Sequence, residues 1–413
     1  MTITDHGPRR PLEHVTVLDM TIALAGPFAT MLLAGLGARV IRVENPAGER
    51  RAAPPFFGPN GPKMVLEGPD DLSMADLTRH RNKLGITLNL KQDGAGDVLH
   101  DLIAHSDVVV DNFSRGTLDK LGFDFSFMLH ANSRIVWASL TGFGIEGEPG
   151  TGGAADTIAQ ALSGIMVTGG EESDPPIRLG APLGDTITPL CLIIGILSAL
   201  EHVRFTGVGE RVDASMVGAL TALVAIEPFD LLKSMGVPYR TGTTMARLGT
   251  FGLYQCSDGY IAVTAGGRQA DALFQAMGKP RLGEDPRFRG PARAQNYREL
   301  TAEIEAWTRT LTVAECLARL ESAGVPSSAV RTPGEAIVDP LAVRRGDTVP
   351  LLHPTLGAHP DIPVTGVPVH FGNATVGFDR PAPGPGQHNE EVYGGLLGYA
   401  SERIAQLRAS GVI

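Results

Sequence analysis

Asp185 stands in the segment Gly180-Ala-Pro-Leu-Gly-Asp-Thr-Ile-Thr-Pro189, just ahead of an apolar run. Two readings fit it. Aspartate is favoured as a helix N-cap, and Pro189 suits the first turn that follows. A carboxylate at a helix N-terminus beside Gly184 also suits nucleophilic chemistry, because a substrate can approach the backbone closely there. Both can hold together, since free amides at that helix end stabilise an oxyanion. Six basic residues, Arg42, Arg81, Lys83, Lys91, Arg115 and Lys120, fall near expected strand ends. Open α/β sheets bind ligands at the carboxyl ends of their strands, and a polyphosphate would need such charges. Taken singly, each also reads as a solvated surface charge.

Other chemical signatures are weak. Gly142-Phe-Gly144-Ile-Glu-Gly147 fits GxGxxG, but Glu148-Pro-Gly-Thr-Gly-Gly153 follows where a helix should open, so a loop is expected. The histidines lack metal-ligand spacing, and there is no GxSxG elbow or P-loop. No metal is expected. Cys191, Cys256 and Cys316 are far apart and form no CxxC pair, which argues against a disulfide framework.

The elements that must position these residues alternate. Strands are expected at 15–19, 39–44, 86–90, 107–111 and 134–139, with helices over 25–37 and 94–105. This is a doubly wound α/β layout with parallel strands. A loop is expected over 142–155, a helix over 156–166 and a long helix over 186–204. Arg211-Val-Asp213 then leads into an apolar helix from Met216. The pattern predicts a large Rossmann-like domain from 1–210 and 326–413, a linker helix over 211–237, and an inserted smaller α+β domain over 238–325. In the latter, Ser257-Asp258-Gly259 reads as a hairpin turn. The tail 390–409 reads as helix.

The chain has 413 residues and a net charge of −10, with 43% hydrophobic and 19% charged residues, enough apolar material for a core. The acidic balance argues against broad nucleic-acid binding. The first ten residues lack an apolar signal core. Leu190–Leu200 and Met216–Ile226 fall short of the ~20 residues a bilayer needs. A protein of the reducing cytoplasm, binding neither nucleic acid nor membrane, is expected. The 51 glycines have no cause in composition alone.

In order along the chain come Val17-Leu-Asp19 with Gly26-Pro27, Gly37-Ala-Arg-Val-Ile-Arg-Val-Glu44, Asn82-Lys83, Asp111-Asn-Phe113 with Gly116, Leu140-Thr-Gly-Phe-Gly144, Leu183-Gly-Asp185, Thr206-Gly-Val-Gly-Glu210, Asp258-Gly259, Gly324-Val-Pro326 and Gly386-Gln-His-Asn-Glu-Glu391. With these, the chain resembles the class III CoA-transferases from about Pro11 onward. The resemblance implies that Asp185 is the nucleophile and forms an aspartyl–CoA thioester between an acyl-CoA donor and a small carboxylic acid acceptor. It implies coenzyme A as substrate, with no further cofactor. It implies CoA contacts at Leu24, Ala25, Asn45, Leu88, Asn89, Lys91, Asn112, Phe113, Ser114, Lys120, Ala154, Ala155 and Asp156. Lys91 and Lys120 are the expected phosphate partners. Glycines such as Gly26, Gly116 and Gly184 would then sit where backbone approaches CoA or the reacting aspartate.

Two departures bear on substrate. The formyl-CoA-using branch has a Gln where this chain has Leu24, and its run of glycines in a mobile loop has no counterpart here. Formyl and oxalyl groups are therefore not favoured. The α-methylacyl-CoA racemase branch is the alternative activity, but its His falls on Ala155, so one of two acid/base groups is missing. The resemblance also implies an interlocked homodimer.

Overall fold

The computed structural model describes residues 9–46, 53–147 and 155–413. The chain divides into two compact units. The first takes the chain up to Ala159, then Ala181–Leu220 and Ile337–Ile413; the second takes Gln160–Gly180 and Thr221–Ala336.

The first unit is built on six parallel strands: β1 (Thr16–Asp19), β2 (Arg39–Glu44), β3 (Lys83–Thr87), β4 (Val108–Asp111), β5 (Val136–Thr141) and β6 (Glu210–Ser215). Their spatial order is β3-β2-β1-β4-β5-β6. The order reverses between β1 and β4, so the loops leaving those strands diverge and open a crevice at the carboxyl edge. Successive residues feed opposite faces. Val17, Val40, Val108 and Val136 join a core with helices α1 (Ala25–Gly35) and α7 (Leu183–Thr206), while Leu18, Ile41, Val109 and Trp137 join one with α3 (Ala95–Ala104). The inner strands β1, β4 and β5, buried on both faces, read as continuous apolar runs.

Three elements differ from the expectation. The third strand was expected at 86–90 but runs Lys83–Thr87, fully buried. Lys83 is charged yet enclosed, which hides the strand's start. Residues 211–215, expected to lead into a helix, form most of β6. Their alternating charges suit an edge strand, whose polar residues need not be buried. The tail helix is two segments, Glu390–Leu396 and Ser401–Ala409, parted around Gly398 with its positive φ of 71°. The chain's last residues, Val412 and Ile413, are buried, and the Val412 carbonyl accepts from the Asn89 N–H (2.8 Å).

The second unit has a three-stranded antiparallel sheet, Phe251–Gln255, Tyr260–Thr264 and Ser327–Ala329. Helices Arg268–Ala276, Tyr297–Thr308 and Val313–Ser322 supply its core. The hairpin turn falls at Ser257-Asp258-Gly259, flanked by the Gln255↔Tyr260 pair. Buried Arg240 ties Gln160–Gly180 to this unit by donating to the carbonyls of Met166 and Pro175 (both 3.0 Å). Cys256 and Cys316 are buried free thiols, and Cys191 is an exposed one.

Candidate active site

The turn joining β1 to α1, Thr21 to Leu24, lies at the reversal point of the sheet. Each residue before Leu24 is held by a side chain, and Ile22 and Ala23 are held from distant parts of the chain. Oδ1 of Asp19 accepts from the N–H and the hydroxyl of Thr21 (3.0 and 2.5 Å). Asn112, just past β4, accepts from the Ile22 N–H and donates to the Ile22 carbonyl (2.8 Å each), so it spans the crevice. Arg79, the last residue of helix α2 (Met74–Arg79), donates to the Ala23 carbonyl (2.9 Å). Ala23 has φ +65°, a conformation costing a non-glycine residue on the order of 1 kcal/mol and kept only where surroundings over-determine it. Here they do. A Cβ at Gly26 would run into the Thr21 side chain, so packing within the turn accounts for this glycine.

Beneath the turn lies a buried ion pair. Lys83 and Asp19 are both wholly inaccessible, with Nζ to Oδ2 at 2.8 Å. Lys83 also donates to the Thr30 hydroxyl (2.7 Å) and the Pro27 carbonyl (3.1 Å). Burial draws the Lys83 ammonium down to about 8 against the pull of Asp19. Burial pushes Asp19 up, but Lys83 and the hydroxyls of Thr21 and Thr30 outweigh it, leaving the carboxyl below its usual value.

Asp185 is the third residue of α7, and Pro182 occupies the N-cap. The capping role expected for Asp185 therefore falls elsewhere. Asp156, at the start of helix α6 (Asp156–Leu162), accepts from the Gly184 N–H (2.8 Å), one of the amides a helix start leaves unpaired. A Cβ at Gly184 would come 3.3 Å from that carboxylate oxygen, so glycine permits the approach. Pro189 sits inside the helix, where it has no N–H to return to the Asp185 carbonyl. Asp185 is half-buried. Burial, then the charge of Asp156, hold its carboxyl above the usual value, and Arg79 opposes them. Arg79 and Asp185 feel each other without forming an ion pair.

The other expected residues distribute as follows. Leu24 is the half-buried N-cap residue of α1, with no side-chain cap of its own, and Ala25 is buried. Asn112 spends its amide on Ile22. Phe113 packs partly into the core, and Ser114 is exposed. Asn45 is exposed just past β2. Leu88 is a core residue, so its side chain is not free for a ligand. The Asn89 side chain accepts from the Lys91 N–H (3.2 Å). Lys91 and Lys120 are exposed, past strands β3 and β4 respectively. Ala155 is exposed ahead of Asp156, and Ala154 lies outside the described residues. The structure thus brings together Leu24, Ala25 and Asn112 at the crevice, and Asp156 with Asp185.

Four of the six basic residues are engaged within the fold. Arg42 pairs with Glu44 (3.0 Å). Arg81 lies 4.0 Å over the Phe378 ring and donates to the Thr365 carbonyl (2.7 Å). Lys83 is enclosed as described. Arg115, exposed, donates to the Gly147 carbonyl. The GxGxxG segment turns as a loop at Gly144, with Ile145 N–H held by Asp213 (2.7 Å). Arg79 was missed by sequence reading, since nothing in its neighbourhood marks it out from a surface helix charge. A cavity of about 200 Å³ is lined by Phe113 and Ser114, two of the expected residues, with Ser139 and Arg211, and one of about 610 Å³ by Phe143, Ile145, Arg211 and Asp213; neither is lined by Asp185 or the β1–α1 turn.

A parallel α/β sheet whose strand order reverses at a braced crevice is of the doubly wound class, in which ligands bind at that reversal point. Residues 12–389 match the profile of CoA-transferase family III. The formyl-CoA:oxalate CoA-transferase of Streptomyces coelicolor is 34% identical over 98% of this chain and 99% of its own. The succinyl-CoA–D-citramalate CoA-transferase of Chloroflexus aurantiacus is 31% identical, over 98% and 99%. The crystal structure of a CaiB/BaiF family protein from Brucella suis superposes with a TM-score of 0.78 at 29% identity, covering 94% of this chain and 100% of that one. The chain belongs to CoA-transferase family III and is a transferase. The racemase alternative is not favoured: these named relatives are transferases, and Ala155 offers no acid/base group.

Proposed function

We propose that this enzyme moves CoA from an acyl-CoA donor to a carboxylic acid through covalent intermediates on Asp185. The carboxylate attacks the donor's thioester carbonyl, the C–S bond breaks, and CoA leaves as thiolate. The thiolate then attacks the aspartyl carbonyl of the resulting anhydride and expels the donor acid. The acceptor carboxylate attacks the aspartyl–CoA thioester, again releasing thiolate. That thiolate takes the acceptor's acyl carbon and frees Asp185. No proton, electron or cofactor is consumed, and the thioester energy is conserved.

The observation that carries this reading is Asp185 itself, half-buried in the first turn of α7 with its basicity raised by burial and by Asp156. The crevice turn at Leu24–Ala25 suits the pantetheine arm, and Lys91 and Lys120 suit the phosphates. Strands β3 and β4 are three spacings apart, so a ligand reaching both must extend ~14 Å, as CoA can. The three free thiols suit a reducing cytoplasm.

We also assign a second copy of the chain to the outer face of α7. This helix has 24 residues and contains an 18-residue stretch of mean hydropathy 1.8, long and apolar enough by composition to cross a bilayer. The apolar run Leu190–Leu200 lies inside this longer helix, which begins at Leu183. One face packs in the core, while Leu190, Ile194, Leu197 and Phe205 form an exposed stripe at helical spacing.

The decisive experiment incubates the enzyme with acetyl-, butyryl- and succinyl-CoA, traps with hydroxylamine, and maps the modified peptide by mass spectrometry. Modification at Asp185, and loss of transfer by at least ~10³-fold in Asp185→Ala, is expected. An Asp185→Ala enzyme that transfers CoA at full rate overturns the mechanism.

A further inference from the structure

Arg79 is a cation whose hydrogen bonds are mostly unspent. One Nη donates to the Ala23 carbonyl at 2.9 Å, which fixes the guanidinium against the crevice turn. The rest of the fork makes no hydrogen bond among the described residues, although the side chain is half-buried. Burial lowers its pKa, with Asp76 and Asp185 pulling the other way, and a guanidinium stays charged regardless. An arginine could neutralise Asp185 by pairing with it, which would blunt the nucleophile. It does not do so. It stands near enough to be felt and too far to bond.

We propose that Arg79 binds the distal carboxylate of a dicarboxylic acid whose other carboxyl group reacts at Asp185. The proposal rests on the reading of Asp185 given above. Three considerations support it. Anions that fit beside Asp185 are limited, because the CoA phosphates lie a whole pantetheine arm from the reacting sulfur. The reacting carboxyl must come within bonding reach of Asp185, ~3 Å. A group held by Arg79, outside ion-pair distance of Asp185, therefore belongs to the far end of a short chain. Finally, planar guanidinium forks recognise carboxylates bidentately, and the Ala23 bond pre-orients this one.

The test offers glutarate and butyrate together, with whichever donor labels Asp185, so that the donor step is common to both. The product ratio then reports the two acceptors' relative kcat/KM. The unsubstituted enzyme is expected to favour glutarate, Arg79→Gln to cut that preference roughly 10- to 100-fold, and Arg79→Lys to retain part of it. Losing the Ala23 bond alone slows both acceptors alike and leaves the ratio unmoved, so an unmoved ratio overturns the proposal. So does a lack of preference for glutarate in the unsubstituted enzyme. Failure of the underlying reading looks different: no thioester labels Asp185. Calorimetry of glutarate and butyrate binding then judges Arg79 separately, and equal binding of glutarate to both variants and the unsubstituted enzyme overturns it.

Discussion

Asp185 gains basicity from its surroundings. Burial and the Asp156 carboxylate raise its pKa, so the acid limb of kcat/KM should lie above the usual carboxylate range, activity falling as pH drops through it. Asp156→Asn removes a like charge and should move that limb to lower pH, measured in pH–rate profiles. Because the raised pKa penalises the folded carboxylate at neutral pH, Asp185→Asn should leave the protein at least as stable there, with a Tm higher by on the order of 2 °C. Asn112 makes a second prediction. Its two bonds to Ile22 brace the crevice at solvent-accessible cost, so Asn112→Ala should weaken CoA binding on the order of 10-fold by calorimetry while the protein stays folded.

At the scale of elements, the β1–α1 turn depends on what lies beneath it. Removing one partner of a buried ion pair strands the other, which costs about 3–5 kcal/mol. Lys83→Met should therefore lower stability in urea denaturation by that amount, and Asp19→Leu with Lys83→Met should recover most of it. The depressed Asp19 pKa adds a pH signature. Its contribution is present above the ordinary aspartate value near 3.8 and is lost as pH falls through the folded value. Much of this framework was legible. The runs at Val17 and Val108–Val110 mark strands wherever they occur, and Pro27 marks the helix start. The third strand was displaced because Lys83, which looks like surface charge, is buried by partners 53 and 64 positions away.

For the whole molecule, the exposed stripe on α7 sets the prediction. Ile194 and Phe205 are 66% and 75% accessible within the single chain. If a second copy covers them, sedimentation should report twice the 43.5 kDa chain mass. Ile194→Glu should then shift the protein toward the monomer, because a charge placed in an apolar interface is left unpaired. With a net charge of −10 the overall field repels a polyanion, so the proposed CoA site would need local cations, the role proposed for Lys91 and Lys120.

The sequence alone determined the alternation of strand and helix, the parallel sheet, and a lone carboxylate opening a long apolar helix. Those features are local: they follow from hydrophobic period, turn residues and helix-start chemistry within a few positions. Tertiary structure alone decided which charges remain free. Arg79 meets Ala23 across 56 positions, and the fold sets it where its charge acts on Asp185 without pairing with it. Arg81 and Lys83, two and four positions along, are enclosed instead. Whether a charge is spent on the fold or left for a substrate depends on its partners in space, and spacing along the chain carries no record of them.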